Sequence, residues 1–210
     1  MAIANSGVAD AIVNIVDDDE AVRDAIRLLL GSIGLRVRCF PDAQSFLDQY
    51  DSSELGCIVL DIRMPGMSGL RLQELLNERG CSQPIIFITG HGDIPMAVQA
   101  MRSGAADFIQ KPFRDQDLID CIHEALNSAR AVRASLEDSR ILRQRFDSLT
   151  DRERDVFERV AKGLANKQIA HELGVSQRTV EIHRAHVMEK LGARNLAQLV
   201  RCHVRLAEPA

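Results

Sequence analysis

Between residues 11 and about 130 the chain passes five times from a short apolar run to a stretch with helical spacing, and this alternation limits its fold more than any other feature. The apolar runs fall at 11–16, 35–40, 57–60, 84–88 and 107–109. Strands buried on both faces read as such unbroken runs, because helices cover them above and below. Between the runs, Val22, Ile26, Leu29 and Ile33 recur at helical spacing up to Gly34, Pro41 opens a helix through residue 47, and 70–76 and 97–101 read as helices. A further helix starts at Arg114. Strand–helix repeats of this kind predict an α/β unit with a five-stranded parallel sheet.

In such sheets chemistry sits outside the carboxyl ends of the strands. Four of those ends carry informative residues: Asp17, Asp18 and Asp19 after the first run, Asp61 after the third, Thr89 after the fourth and Lys111 after the fifth. Gathered carboxylates repel one another unless a cation offsets them. A hard divalent ion such as Mg²⁺ takes carboxylates, a carbonyl and waters. A lone carboxylate can attack phosphorus to give an aspartyl phosphate, with Mg²⁺ and Lys111 meeting the charge on the phosphoryl oxygens and Thr89 donating a hydrogen bond. An isolated run of aspartates is ordinarily a solvated loop; the order of the whole set is what carries the reading.

The segments IVDDDE, VLDIRMPGMSG, FITGHGD and FIQKPF resemble the receiver domain of response regulators, whose fold is flavodoxin-like, across residues 11–130. By that resemblance Asp61 is the phosphoacceptor, and Asp17, Asp18, Asp61 and the backbone carbonyl of Arg63 hold Mg²⁺ (or Mn²⁺), with Asp18 and Asp61 foremost. Thr89 and Phe108 resemble a switch pair, Thr89 turning toward the phosphoryl group as Phe108 rotates inward. Lys111 pairs with the phosphate, and Pro112 resembles the cis-proline after it. Arg63 and His91, two residues beyond Asp61 and Thr89, either adjust water's access to the aspartyl phosphate or are plain loop residues. A haloacid-dehalogenase-like phosphatase also phosphorylates an aspartate, but its turnover needs an acid two residues on. Arg63 stands there, so no enzyme is expected beyond self-phosphorylation and slow dephosphorylation.

From Phe113 to Lys162 there is neither Pro nor Gly, and Leu118, Ile122, Ala125, Ala129, Val132 and Leu136 alternate by four and three, the spacing of a coiled-coil seam. One long helix through about residue 140, able to pair with its copy, is predicted; an ordinary last helix followed by a flexible linker is the alternative. The expected boundaries are 11–130 for the receiver, 131–147 for a helical linker and 148–210 for a small all-α domain. There, Thr150 and Glu153 form a capping box, with Val156 and Val160 inward; Asn166 caps a short helix ending at Gly174; Ser176 caps the next, with Val180, Val187 and Leu191 inward; and Leu196, Leu199, Val200 and Val204 mark a last helix.

Two helices joined at Gly174 make a helix-turn-helix, whose second helix enters the DNA major groove. Its outward side carries Arg178, Glu181, Ile182, Arg184 and Ala185. Arg184 can read guanine and Glu181 can accept from cytosine. Lys167, Ser176, Arg178, Thr179, His183 and Lys190 can reach phosphates. His183 and His186 are equally suited to capping or core work. The segments LTDRERDVFERVAKGLANKQIA and TVEIHRAHVMEKL resemble the LuxR-type DNA-binding domain over 149–206, and the whole resembles a NarL/FixJ-type regulator. In that family the last helix often helps the DNA-binding domains pair. The resemblance implies phosphorylation by a sensor histidine kinase, a homodimer on phosphorylation, double-stranded promoter DNA and RNA polymerase as partners, and a cytoplasmic setting. A DNA-binding protein with a vestigial receiver is the alternative, against which Asp18, Asp61, Thr89 and Lys111 stand.

Charge divides along the same line. Residues 1–130 hold 11 Lys+Arg against 19 Asp+Glu, and residues 131–210 hold 15 against 11. The front half should repel polyanions and the back half attract them. No run of 18 apolar residues and no leader pattern at the N-terminus is present, so neither membrane nor secretion is expected. Five scattered cysteines without a C-x-x-C pair point to reduced thiols.

Overall fold

The computed structural model describes residues 11–90 and 94–207, which divide into two compact units at the Val132/Arg133 boundary. In the first, strands β1 (Ile12–Val16), β2 (Arg36–Phe40), β3 (Gly56–Asp61), β4 (Ile85–Thr89) and β5 (Asp107–Gln110) form one parallel sheet in the order β2-β1-β3-β4-β5. Helices α1 (Glu20–Ser32), α2 (Ala43–Gln49), α3 (Gly69–Glu78) and α4 (Ile94–Arg102) connect the strands. Strand residues alternate between two cores. Val13, Ile15, Val59, Ile86 and Ile88 pack with Ile26 and Leu30 of α1 and with Leu118 and Ile122, while Val16, Ile58, Leu60 and Phe87 pack with Phe46, Leu72 and Leu76. The runs are apolar throughout because each successive side chain meets helices on one face or the other.

Side chains at the helix starts fix where the helices begin. Asp19 accepts from the N–H groups of Ala21 and Val22, Asp42 from Ser45 and Ser68 from Arg71. Pro41 therefore lies outside α2, one residue before its cap, rather than opening the helix as expected.

The long helix is longer than its sequence pattern suggests, and most of its seam has another purpose. Helix α5 runs unbroken over Asp115–Asp147. Leu118, Ile122, Ala125 and Ala129 are buried in the first unit's own core, so these four are not free for a coiled coil. Only Val132 and Leu136, 46% and 59% exposed, remain of the seam. The 3.5-residue spacing matched a helix laid on a sheet as well as it would match a partner helix. Beyond the boundary, Leu142 is buried with the second unit's core and Phe146 packs beside it, edge to face with Phe157 at 5.6 Å. Residues 133–147 thus fold with the second unit rather than as a separate linker.

That unit continues with α6 (Asp151–Ala161), α7 (Asn166–Leu173), α8 (Gln177–Leu191) and α9 (Leu196–Ala207) around Val156, Phe157, Val160, Ile169, Val180, Val187, Leu191 and Leu199. The capping box is formed: Thr150 accepts from the Glu153 N–H and Glu153 from the Thr150 N–H. Asn166 does not cap α7. It is the first helical residue, after Ala165, whose N–H goes to Gln168 Oε1. Gly174 ends α7 at φ +67°, a left-handed position that suits glycine.

Glu153 is buried, and Lys190 Nζ of α8 reaches its Oε2 at 2.6 Å. That hydrogen bond first, with the Thr150 groups supporting it, holds the Glu153 carboxyl down at about 2 against an ordinary 4.5. A carboxyl lowered in the fold stabilises it fully above the ordinary value, and the contribution is lost as pH falls toward the lowered one. Calorimetry of the full chain should therefore show the second unit weakening progressively below pH 4.5 toward pH 2. Glu153→Gln should cost it about 1–3 kcal/mol at neutral pH, and Lys190→Met should shrink the acid sensitivity.

Candidate phosphoacceptor pocket and DNA-binding surface

β3 lies at the centre of the sheet, flanked by β1 and β4, so its last residue is held on both sides. That residue is Asp61, buried apart from a side chain 10% exposed. Lys111, just past β5, reaches across to place Nζ 2.8 Å from Asp61 Oδ1 and 2.7 Å from Asp17 Oδ2. The other Asp61 oxygen accepts from the Arg63 N–H at 2.7 Å. Asp17 is itself fixed, its Oδ1 accepting from the Asp19 N–H and its carbonyl from Arg23 Nη1. The Lys111–Pro112 peptide bond is cis.

Burial opposes charge on Lys111, but its hydrogen bonds to Asp17 and Asp61 outweigh that and push its pKa up. Burial raises the Asp61 carboxyl, with Asp17 adding to it, while Lys111 and the Arg63 N–H offset part of the rise. Two carboxylates lean on one ammonium, so the pocket has negative charge to spare. Asp18 is exposed, and among the described residues no three His, Cys, Asp or Glu side chains converge as a ready metal cage. Of the expected set, Asp17 and Asp61 are brought together on Lys111, while Asp18 stands exposed beside them in the chain. The donors themselves, carboxylate and backbone oxygens with an unmet negative charge, suit a hard cation.

Thr89 and Phe108 stand on adjacent strands. Thr89 is buried, with its Oγ1 3.5 Å from the Ile109 carbonyl, and its own carbonyl accepts from the Lys111 N–H at 2.7 Å. Phe108 points outward, 43% exposed. Arg63 is exposed. His91 lies outside the described residues.

The second unit presents its helix pair as expected, with corrections. Gly174 ends α7 and Ser176 caps α8, accepting from the Thr179 N–H and sharing a hydroxyl–hydroxyl hydrogen bond with Thr179 at 2.8 Å. Lys167, Ser176, Arg178, Glu181, Ile182 and Ala185 are exposed. Lys190 is not available for phosphate, because it is committed to buried Glu153. His183 turns half inward, its Nδ1 buried and unpartnered among the described residues. Arg184 is half-buried, and Asn166 Oδ1 accepts from its Nη1 at 3.1 Å. Sequence reading missed the burial of Glu153 and its pairing with Lys190; an acid at the third position of a capping box facing a lysine on another helix carries no local signal.

Comparison with known proteins agrees with this geometry. Residues 13–123 match the response regulator receiver domain, and residues 147–203 match the bacterial regulatory proteins of the luxR family. The chain belongs to the two-component response regulators. It is 48% identical to the transcriptional regulatory protein FixJ of Azorhizobium caulinodans, over 90% of each chain. Response regulator protein TodT of Pseudomonas putida is 45% identical, over 94% of this chain and 87% of that one. The solved structure of response regulator StyR superposes with a TM-score of 0.85 at 47% identity, covering 94% of this regulator and all of that chain. The regulator thus joins a receiver to a LuxR-type DNA-binding domain, and no helix among its described residues is long and apolar enough to cross a membrane.

One glycine in the receiver limits the loop after Asp61. Gly69 opens α3 with its N–H on the Ile62 carbonyl, and a Cβ added there would lie 2.2 Å from the Asp61 backbone oxygen. Neither backbone can yield without moving Asp61. Gly69→Ala should cost the receiver about 1–3 kcal/mol and slow phosphoryl uptake from acetyl phosphate, while the calorimetric transition of the second unit stays unchanged.

Proposed function

We propose that a sensor histidine kinase, or a small phosphodonor, phosphorylates this regulator on Asp61, and that the phosphorylated protein pairs and binds promoter DNA to regulate transcription. The observation carrying this reading is the Lys111 ammonium at hydrogen-bond distance from both Asp17 and Asp61. A carboxylate at a central strand end, with a fixed cation beside it, has the makings of a nucleophile whose product charge is met in place.

In this reading Asp61 uses the oxygen facing Lys111 or the one held by the Arg63 N–H to attack phosphorus as the kinase's phosphohistidine nitrogen, or the oxygen of the small donor, departs with the bonding pair, and Lys111 follows the charge onto the phosphoryl oxygens. Mg²⁺ (or Mn²⁺), held by Asp18 and Asp61 with Asp17 and the Arg63 carbonyl, would supply further positive charge there. Thr89 leaves the Ile109 carbonyl to donate to the phosphoryl group, and Phe108 turns into the space released. Both moves act on the face made by α4, β5 and α5, which exposes Val98, Met101 and Phe108. Receivers pair through that face, and contacts extend to Val132 and Leu136 along α5. Two recognition helices are then brought to a two-fold site, so the operator is expected to be an inverted repeat.

On DNA, Glu181 accepts from cytosine and Ile182 and Ala185 meet thymine methyl groups. Lys167, Ser176, Arg178 and Thr179 hold phosphates. Arg184, tied to Asn166, has guanidinium donors left for a base. RNA polymerase is the expected partner at the promoter, and the cytoplasm the expected setting.

Acetyl phosphate should label wild-type protein on Asp61 and leave Asp61→Asn unlabelled. Beryllofluoride should raise both the oligomeric mass and the DNA affinity of the wild type, read by light scattering and fluorescence anisotropy. Labelling of Asp61→Asn at the same peptide, or no change in mass and affinity, would contradict the proposal.

A further inference from the structure

Arginines in this protein repeatedly meet acids one helical turn away. Arg27 pairs with Asp24, Arg71 with Glu74, Arg114 with Asp117, Arg140 with Glu137 and Arg159 with Asp155. Helix α9 breaks the habit: from Leu196 to Ala207 it carries Arg201, His203 and Arg205 and no acid at all. Its arginines border a recess of about 450 Å³ between the end of α8 and α9, lined by Arg194, Gln198, Arg201, Cys202 and Arg205. Arg145 of α5 completes the group, its Nη1 near the Leu191 carbonyl and 2.7 Å from where a Cβ on Gly192, also in the lining, would stand.

None of these four arginines meets a carboxylate among the described residues. Arg145 spends one donor on a carbonyl and Arg205 one on the Ser139 hydroxyl. Burial pushes the Cys202 thiol up, while Arg205, Arg145 and Arg201 pull against it, which puts three guanidiniums within electrostatic reach of one side chain. Like charges this close repel, and among the described residues no carboxylate is paired with them. An anion from outside would relieve the repulsion, and guanidinium forks suit phosphate oxygens two at a time.

We infer that this recess is a phosphate-binding site for the DNA backbone, outside the helix-turn-helix surface. The inference rests on the DNA-binding reading above. Backbone phosphates are the polyanion such a unit meets, and Arg194, Arg201 and Arg205 would grip them without reading sequence. The recess also restores cationic reach that Lys190 does not provide, since Lys190 is held by Glu153. Arg201 is exposed and its side chain makes no hydrogen bond among the described residues, so its removal tests binding with little structural cost.

The test is the salt dependence of binding by beryllofluoride-treated full chain to a random-sequence DNA duplex, read by fluorescence anisotropy. Each phosphate contact contributes about 0.9 to the slope of log affinity against log salt. Arg201→Gln should lower the slope by about 0.9, Arg201→Gln with Arg205→Gln by about twice that, and the paired Lys variants should restore it. Lys167→Ala serves as the control on the helix-turn-helix surface. An unchanged slope in the Arg variants, with Lys167→Ala still flattening it, would overturn the inference and leave the DNA-binding reading intact. Wild-type protein that binds no duplex would overturn both. Inorganic phosphate that shifts the Cys202 and Arg201 resonances while the Arg variants keep the wild-type slope would assign the recess to a small phosphate compound and overturn the DNA-backbone assignment.

Discussion

The ammonium of Lys111 is the tie on which the first unit's chemistry depends. Its two hydrogen bonds span three strand ends, joining Asp17 after β1, Asp61 at the end of β3 and its own position after β5. Without it two buried carboxylates would face each other in a poorly solvating site, which costs several kcal/mol per unpaired charge. The tie is also conditional. A phosphoryl group on Asp61 offers Lys111 a stronger anion, and any movement of Lys111 is felt at once by Thr89, whose carbonyl holds the Lys111 N–H. Thr89 therefore lies one backbone hydrogen bond from the residue that holds Asp61, and Phe108, on the neighbouring strand, is 43% exposed.

The second unit is organised by a comparable pair. Glu153 satisfies the start of α6 and, through Lys190, fixes the later turns of α8 against it. One carboxylate thus ties α6 to the later turns of α8, whose Glu181, Ile182 and Ala185 are exposed. Asn166 acts similarly at the other helix, holding Arg184 across the turn. Helix α5 belongs to both units, buried at Leu118 and Ile122 in one and at Leu142 in the other.

The five strands, their strand-end residues and the helix-turn-helix were legible because each leaves a local mark: an apolar run, a polar residue at its end, a glycine where the backbone turns left-handed. What escaped was everything decided by distant pairing. Ala125 and Ala129 look like seam residues because sheet-facing and partner-facing helices share one periodicity. Lys190 looks like a phosphate contact until Glu153 is seen buried opposite it, 37 residues earlier in the chain. Asn166 has the chemistry of a cap, yet it sits one position inside the helix, because Gln168 already serves the Ala165 N–H. The sharing of Lys111 between Asp17 and Asp61 had no local mark either, because the three residues lie on separate strand ends.

The grip of Lys111 is tested most directly by NMR of the full chain before and after beryllofluoride and Mg²⁺. In the wild type the resonances of Thr89, Phe108 and Ile109 should move together. In Lys111→Met the ligand should leave Thr89 and Phe108 where they were, whether or not it still reaches Asp61. A Lys111→Met protein whose Thr89 and Phe108 signals move as in the wild type would contradict the account.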